Sequence, residues 1–321
     1  MNENNLIKNY LAKLVKKNPA ALNLNDDVFF DKNNKTVISI DTYVEKTHFP
    51  SFNNLNLLIK KIIRSSISDL ICKGVVPKFY FISGSGNKKS FTKKNISKII
   101  SSLKSEQKKF SIKLSGGDTV FSPTNSFTII SLGFSDKIVK RNNAKINDDI
   151  YITGELGDSH LGLKYLQKKN YNKNINKKYF INKFYLPKIN SNFSKYLTKF
   201  ANTSIDISDG LLIDLNKMIN NQNISSEIYY DKIPISNNLK IFLKENFLEK
   251  KKFIFNGDDY QILFTAKKSD RQKIERISRK TNTKITKIGK ILSKKKFKFK
   301  LLNGDKVLKL AKMPGHEHFF T

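Results

Sequence analysis

Hydrophobic and polar positions fall into two periods along this chain. Strict alternation with β-branched residues marks strands at "TVISIDTYVE", "KFYFIS" and "SFTIISLGF". "SIKLSGGDTV" reads as a strand running into a glycine turn. A spacing of three and four marks helices. Leu6, Ile7, Tyr10, Leu11, Leu14 and Val15 predict an amphipathic N-terminal helix, and Leu58, Ile59, Ile62, Ile63, Ile67, Leu70 and Ile71 predict one over 55–73. "FTKKNISKIISSLKSEQKK" is a polar-faced helix, "LNLNDDVFF" a turn and "HFPSFNNLN" a loop. Beyond "KRNNAKINDD", which reads as a junction, "IYITGELGDS" opens a second unit. It continues with a helix capped by Asp158 or Ser159, a strand ending in "TSIDISDG", the helix "LLIDLNKMINN", and "FIFNGDDYQILFTAKK" as strand–turn–strand. A helix from about Asp270 and strands at "KITKIGKIL" and "KFKFKLL" close it. Both halves mix strands and helices, so we expect two α/β domains, 1–145 and 146–321.

The 321 residues suffice for two cores. A formal charge of +33 raises the question of a polyanion partner. Only five of the sixty basic residues are arginine, however, and the lysines are spread over the whole chain. Phosphate and base recognition prefers arginine, so this reads as a lysine-biased solvated surface with no specific nucleic-acid role. A polyanion-binding protein is the alternative of a different class; it predicts steeply salt-dependent binding and no metal-dependent ATP turnover. The single cysteine, Cys72, precludes an internal disulfide and fits a reducing compartment. With no 18-residue apolar run and no signal peptide pattern, we expect no membrane association and a cytoplasmic location.

"FYFISGSGNKKSF" imitates a phosphate loop, but Asn87 stands before Lys88 where that motif needs glycine, so it reads as a solvated turn. The aspartates say more. Asp26, Asp27, Asp41, Asp69, Asp118, Asp206, Asp209, Asp258 and Asp259 are read at strand ends and turns, in a chain with only 27 acidic residues. Each alone is as well explained by a turn or a helix cap. Together they suit Mg²⁺, which bridges carboxylates to substrate phosphates, and phosphoryl transfer needs chiefly positioning and charge neutralisation. A glycine turn such as "SGGD" would let backbone N–H groups approach phosphate. Asp214, one helical turn beyond Asp209, reads as structural. His48 reads as a packed loop residue or a ligand contact, and Arg141 as a surface residue or a phosphate clamp.

The ordered set "NDD" (25–27), "SIDTYVEKTHF" (39–49), "SDL" (68–70), "SGGDT" (115–119), "RNNAKINDDIYITGELGDSHLGL" (141–163), "IDISDGLLIDL" (205–215), "NGDDYQILF" (256–264) and "GHEHF" (315–319) resembles the thiamine-monophosphate kinase family, within the aminoimidazole ribonucleotide (AIR) synthetase-like superfamily. The resemblance implies an N-terminal mixed-sheet domain that pairs in a homodimer, a C-terminal α/β domain, and an active site between them. It implies direct, in-line transfer of the ATP γ-phosphoryl to thiamine monophosphate. Carried over, Asp27, Asp41, Asp69, Asp118, Asp206 and Asp209 would hold several Mg²⁺ ions, assisted by Ser39 and the Ile40 backbone, with Asp41, Asp118 and Asp209 closest to catalysis. Gly117, Asp118, Arg141 and Ser208 would contact ATP. His48, Asp258 and His316 would face thiamine monophosphate. Asp258 stands where the family usually has glutamate. Another ATP-using enzyme of the superfamily is the nearer alternative; a selenophosphate synthetase would need a reactive cysteine near the N-terminus, and Cys72 lies inside a predicted helix.

Overall fold

The computed structural model describes all residues except 2, 172, 174, 310–314 and 316–321. The first half runs α1 (Glu3–Asn9), β1 (Phe29–Asp31), β2 (Thr36–Val44), α2 (Leu55–Cys72), β3 (Pro77–Gly86), α3 (Lys93–Phe110), β4 (Lys113–Phe121) and β5 (Ser126–Phe134). Its sheet has the order β1-β2-β5-β3-β4, with β3 and β4 parallel and the other pairs antiparallel. The second half runs β6 (Asp149–Thr153), α4 (Asp158–Leu166), α5 (Lys177–Tyr185), α6 (Ser191–Leu197), β7 (Ala201–Asp206), α7 (Leu211–Met218), β8 (Ile224–Tyr229), α8 (Asn237–Glu245), α9 (Lys251–Ile254), β9 (Ile262–Ala266), α10 (Arg271–Thr281), β10 (Ile285–Ser293), β11 (Phe299–Asn303) and β12 (Lys306–Val307). These strands form a second sheet, β12-β11-β8-β10-β6-β9-β7. The mixed α/β class expected from the two periods is the one found.

Helix α2 positions everything that follows. Its apolar residues Leu58, Ile59, Ile62, Ile63 and Ile67 are each at most 1% exposed. They pack with Tyr43, Phe127 and Ile129 of the first sheet and with Phe184 and Tyr185 of α5. Ile71 and Cys72 join a separate core with Phe193, Leu197 and Phe264. One helix therefore belongs to the cores of both halves. That explains why its polar residues, including Lys61, Ser65, Ser68 and Lys73, are buried too.

The local readings differ from the structure in instructive places. The N-terminal helix stops at Asn9, and Leu11 and Leu14 are 41% and 82% exposed. An isolated helix of that length is marginal without a surface to bury its apolar stripe. "SGSG" belongs to β3 and "SGGD" to β4, so neither is a turn. Glycine serves close strand approach there: a Cβ on Gly117 would lie 1.9 Å from the Ile82 carbonyl oxygen. "FIF" is the end of α9 and the turn after it, not a strand. Gly157 stands at the N-cap of α4 in place of Asp158 or Ser159. Segment β1, read as part of a turn, is a short edge strand.

Candidate active site

Residues 61, 65, 68, 69, 72 and 73 follow one another at helical spacing and form a polar stripe on α2. Asp69 and Lys73, one turn apart, lie toward its C-terminal end, and the strands β2 and β7 bring their own carboxylates there. Oxygen atoms of Asp27, Asp69 and Asp206 lie within 4.8 Å of one another. Ser68 donates a short hydrogen bond to Asp206. Asp41 lies close enough for its charge to act on Asp69, and its Oδ2 is buried with no hydrogen-bond partner among the described residues. The cluster draws Asp41 and Asp69 from the first half and Asp206 from the second. Of the aspartates read at strand ends, only Asp206 ends one; Asp41 lies within β2, Asp69 within α2 and Asp118 within β4.

Burial, with the negative charge of Asp206, pushes the Asp41 carboxyl up to about 7. Burial and Asp41 push Asp69 well up, and burial raises Asp206 despite Ser68. These acids resist ionising side by side in low dielectric, which is the demand that a divalent cation meets. On the other flank the chain supplies its own cations. Lys73 Nζ lies 2.8 Å from Asp26 and 2.6 Å from Asp27. The Arg141 guanidinium pairs with Asp27 through Nε and Nη2, and its backbone N–H donates to Asp26 at 2.9 Å. Burial alone would lower the Lys73 ammonium, but Asp26, Cys72 and Asp206 together outweigh it and hold the group above its ordinary value.

The "SDG" turn between β7 and α7 is stitched to the "NGDDY" loop. Asp258 N–H donates to the Ser208 carbonyl at 2.9 Å and Tyr260 N–H to that of Ile207 at 2.8 Å. The approach is so close that a Cβ on Gly257 would sit 1.8 Å from the Ser208 carbonyl oxygen. Asp214 is structural as expected, its Oδ2 accepting the Asp209 and Gly210 N–H groups at 3.0 and 2.9 Å. Asp209 pairs with Lys217 at 2.5 Å.

At the N-terminal end of the stripe, Lys61 Nζ donates to Asp258 at 2.5 Å and to the Phe184 carbonyl at 3.2 Å. It also lies 3.9 Å from the Phe184 ring centroid and 5.2 Å from that of Tyr260. Eight residues of helix, about 12 Å, separate this place from Asp69.

The other sequence-read residues fall elsewhere. Asp118 pairs in register with Ser83, which pairs with Thr128, which pairs with Thr42. Thr42 and Thr128 share a hydrogen bond on the face opposite α2. Asp118 therefore lies on that outer face, three strand spacings or about 14 Å from β2. Gly117 is its neighbour on the same exposed edge strand. Ser39 is buried and donates to the Ser66 carbonyl at 3.4 Å, and Ile40 turns its side chain outward, 65% exposed. His48 accepts the Val44 N–H at Nδ1, 3.0 Å, closing the turn after β2. His316 lies outside the described residues. Its neighbour Gly315 packs against Ile213 and the Asp209 carbonyl. An open hollow of about 270 Å³ lined by Tyr151, Arg271, Glu275 and Lys287 shares no residue with the cluster.

Lys61, Lys73, Lys217 and Ser68 were not singled out by sequence reasoning as partners of the acids. A lysine between isoleucines on the apolar side of a predicted buried helix was the available signal for Lys61.

Residues 17–134 match the AIR synthase related protein N-terminal domain and residues 201–301 its C-terminal domain. With the two sheets and the acidic seam between them, this is an AIR synthase-related protein. The chain is 35% identical over 295 residues to the thiamine-monophosphate kinase of Buchnera aphidicola subsp. Acyrthosiphon pisum (strain APS), covering 90% of this chain and 88% of that one. It is 29% identical to that of Haemophilus influenzae (strain ATCC 51907 / DSM 11121 / KW20 / Rd), covering 99% and 98%. The solved structure of AaThiL complexed with AMPPCP and TMP matches with a TM-score of 0.83 at 25% identity over 99% of both chains. The chain belongs to the thiamine-monophosphate kinase family.

Proposed function

We propose that this chain phosphorylates thiamine monophosphate with ATP, giving thiamine diphosphate and ADP. The observation that carries the chemistry is the convergence of carboxylate oxygens of Asp27, Asp69 and Asp206, from both halves, within 4.8 Å of one another, with the Asp41 charge acting on Asp69 and its buried Oδ2 unpartnered among the described residues. Three hard oxygen donors this close together fit Mg²⁺. Asp27, Asp69 and Asp206 would hold it, with Asp41, Ser39 and Asp209 completing the set. Bound magnesium would screen the repulsion between two phosphate-bearing substrates and favour in-line geometry.

The chain's own groups do the rest. Arg141 and Ser208 flank the acids and are proposed to contact ATP; Gly117 and Asp118 are kept in that set on the resemblance alone. Asp258, beside the Tyr260 ring, would face the cationic heterocycle of thiamine monophosphate. The substrate phosphate would then reach back along α2 toward Asp69. His48 and His316 are proposed at the same end. Transfer is direct and needs no general base, because a phosphate monoester is already ionised near neutral pH.

A homodimer completes the proposal. Strand β4 is an edge strand exposed at every residue. Ile40, Ile130 and Phe81 lie in one row on the sheet face that α2 leaves uncovered. Pairing with a second copy would bury both. The location is proposed as cytoplasmic, on the single buried cysteine. Among the described residues no helix is long and apolar enough to cross a membrane.

The test is thiamine diphosphate formation by purified protein from ATP, Mg²⁺ and thiamine monophosphate. Metal-dependent product is expected. Folded protein that makes none under these conditions would refute the assignment.

A further inference from the structure

We propose that Lys61 is a positioning residue for thiamine monophosphate: its buried ammonium holds the Asp258 carboxylate by one oxygen and leaves the other for the heterocycle. The inference rests on the substrate reading above and involves none of the metal-binding acids.

The ammonium has no donor left over for a ligand. A lysine carries three N–H groups and no acceptor. Here one reaches Asp258 Oδ1 at 2.5 Å and one the Phe184 carbonyl at 3.2 Å. That leaves the third for the Phe184 ring, whose centroid lies 3.9 Å from Nζ, with the Tyr260 ring centroid at 5.2 Å. The side chain is 3% exposed, so these partners replace its water. The Phe184 carbonyl belongs to the last turn of α5 and has no partner within its own helix, and a cation there complements the negative helix end. Lys61 is thus held by protein groups alone, and what it offers the substrate passes through Asp258.

Asp258 is fixed at both its backbone and its side chain. Its φ is +71°, in the left-handed region, and its N–H donates to the Ser208 carbonyl at 2.9 Å. Oδ1 takes both side-chain contacts, from Lys61 and, at 3.4 Å, from the Tyr260 hydroxyl. Oδ2 has no partner among the described residues, and the side chain is 24% exposed. A carboxylate oriented in this way has little freedom left to lose when a ligand arrives. The reacting phosphates are proposed at the other end of the stripe, near Asp69, about 12 Å along α2. Loss of Lys61 should therefore weaken substrate binding and spare the chemical step. Lys61 comes from the first half, and Phe184 and Asp258 from the second, so the competing role is a pin that only holds the halves together.

The test is a double-mutant cycle on the steady-state kinetics of thiamine diphosphate formation by the full chain, with Lys61→Met, Asp258→Asn and the two combined. Lys61→Met is expected to raise the KM for thiamine monophosphate about tenfold while kcat and the KM for ATP stay within about twofold. Added to Asp258→Asn, it should change the KM by less than about twofold, because its effect passes through the carboxylate. Independent, multiplying effects of the two substitutions would overturn the proposal. So would a Lys61→Met that lowers kcat and raises both KM values together, the behaviour of a pin between the halves. If circular dichroism shows Lys61→Met unfolded, Lys61→Gln, which keeps an N–H donor, takes its place in the cycle; failure of both to fold would assign Lys61 to the fold and overturn the proposal. A parent that makes no thiamine diphosphate, or an Asp258→Asn that keeps the parent's KM, would instead refute the substrate reading on which the inference rests.

Discussion

Every residue of β6 and β9 in the second sheet is buried, whereas every residue of β4 in the first is exposed. The second sheet is covered by its own helices, and Phe264 of β9 touches Tyr151, Phe193 and Phe200. The first has helices over one face only. Tyr80, Phe127 and Ile129 point inward and are at most 2% exposed, while Ile40, on the other face, is 65% exposed. The closed half finishes its core within one chain, and the open half leaves an apolar face for another surface. The acidic cluster straddles the seam, taking carboxylates from each half, so chemistry should fail when either contribution is lost. Asp206→Asn, the closed half's carboxylate, is expected to lower thiamine diphosphate formation by about a thousandfold or more. Its circular dichroism spectrum should stay unchanged. Asp41→Asn, from the open half, should do the same, and full activity in either would remove that residue from the cluster's function.

The same contrast separates what the sequence makes legible from what it hides. Strands β2 and β5 and helix α2 are readable because each keeps one period, set by having one face to bury. The aspartates stand out because acids are scarce in a chain of charge +33. The lysines that answer them do not. Lys73 and Lys217 are chemically indistinguishable in sequence from the many lysines on the surface; only tertiary contact with Asp27 and Asp209 sets them apart, and Lys61, which meets Asp258, differs only in its place on a buried helix face. Asp118 illustrates a second limit. The face it occupies depends on strand register and on the irregularity between Tyr80 and Phe81, neither of which is written in the local pattern. "FIFNGDDY" misleads because its aromatic residues suit a strand, while packing of Phe253 and Phe255 into the second core holds a short helix and turn.

The two sheets should respond oppositely to the loss of one apolar side chain. Phe264→Ala, in the closed core, is expected to destabilise the fold by about 3–5 kcal/mol in urea titration. Ile130→Glu lies in the middle of the open face and should leave folding nearly intact. If a second copy covers that face, the substitution buries a carboxylate at the interface and weakens association by about 3 kcal/mol, more than a hundredfold. Light scattering should then report a monomer at concentrations where the parent is a dimer. A dimer that survives Ile130→Glu excludes this face as the contact.

The closed half also carries a histidine that burial keeps neutral. Burial, with the nearby Lys164 charge, pushes the His160 imidazole down to about 4. His160 is therefore neutral in the fold at pH values where the unfolded chain, titrating near 6.5, already binds a proton. Stability from this residue is complete above about pH 6.5 and falls as the pH drops toward 4, by up to about 3 kcal/mol. The raised carboxyls of the cluster titrate with the opposite sign, so the measurement is the difference between parent and His160→Gln. The parent should lose more stability than the variant between pH 6.5 and 4. Parallel curves would mean that the imidazole is solvated.

Helix caps give the finest version of the contrast. Thr92 caps α3 in the open half by accepting the Asn95 N–H at 3.2 Å, in an exposed bond. Ser236 caps α8 in the closed half by accepting the Leu239 N–H at 3.0 Å, and its hydroxyl also donates to the buried Asp158 carboxylate at 2.7 Å. Removing Ser236 strands a second buried group, so Ser236→Ala should cost about 2 kcal/mol. Thr92→Ala exposes one N–H that water can satisfy, so its cost should be nearer about 1 kcal/mol or less. Urea titration of the two variants side by side measures the difference. Equal costs would mean that the Ser236–Asp158 bond adds nothing to the cap, and that enclosure of the second half does not reach its helix ends.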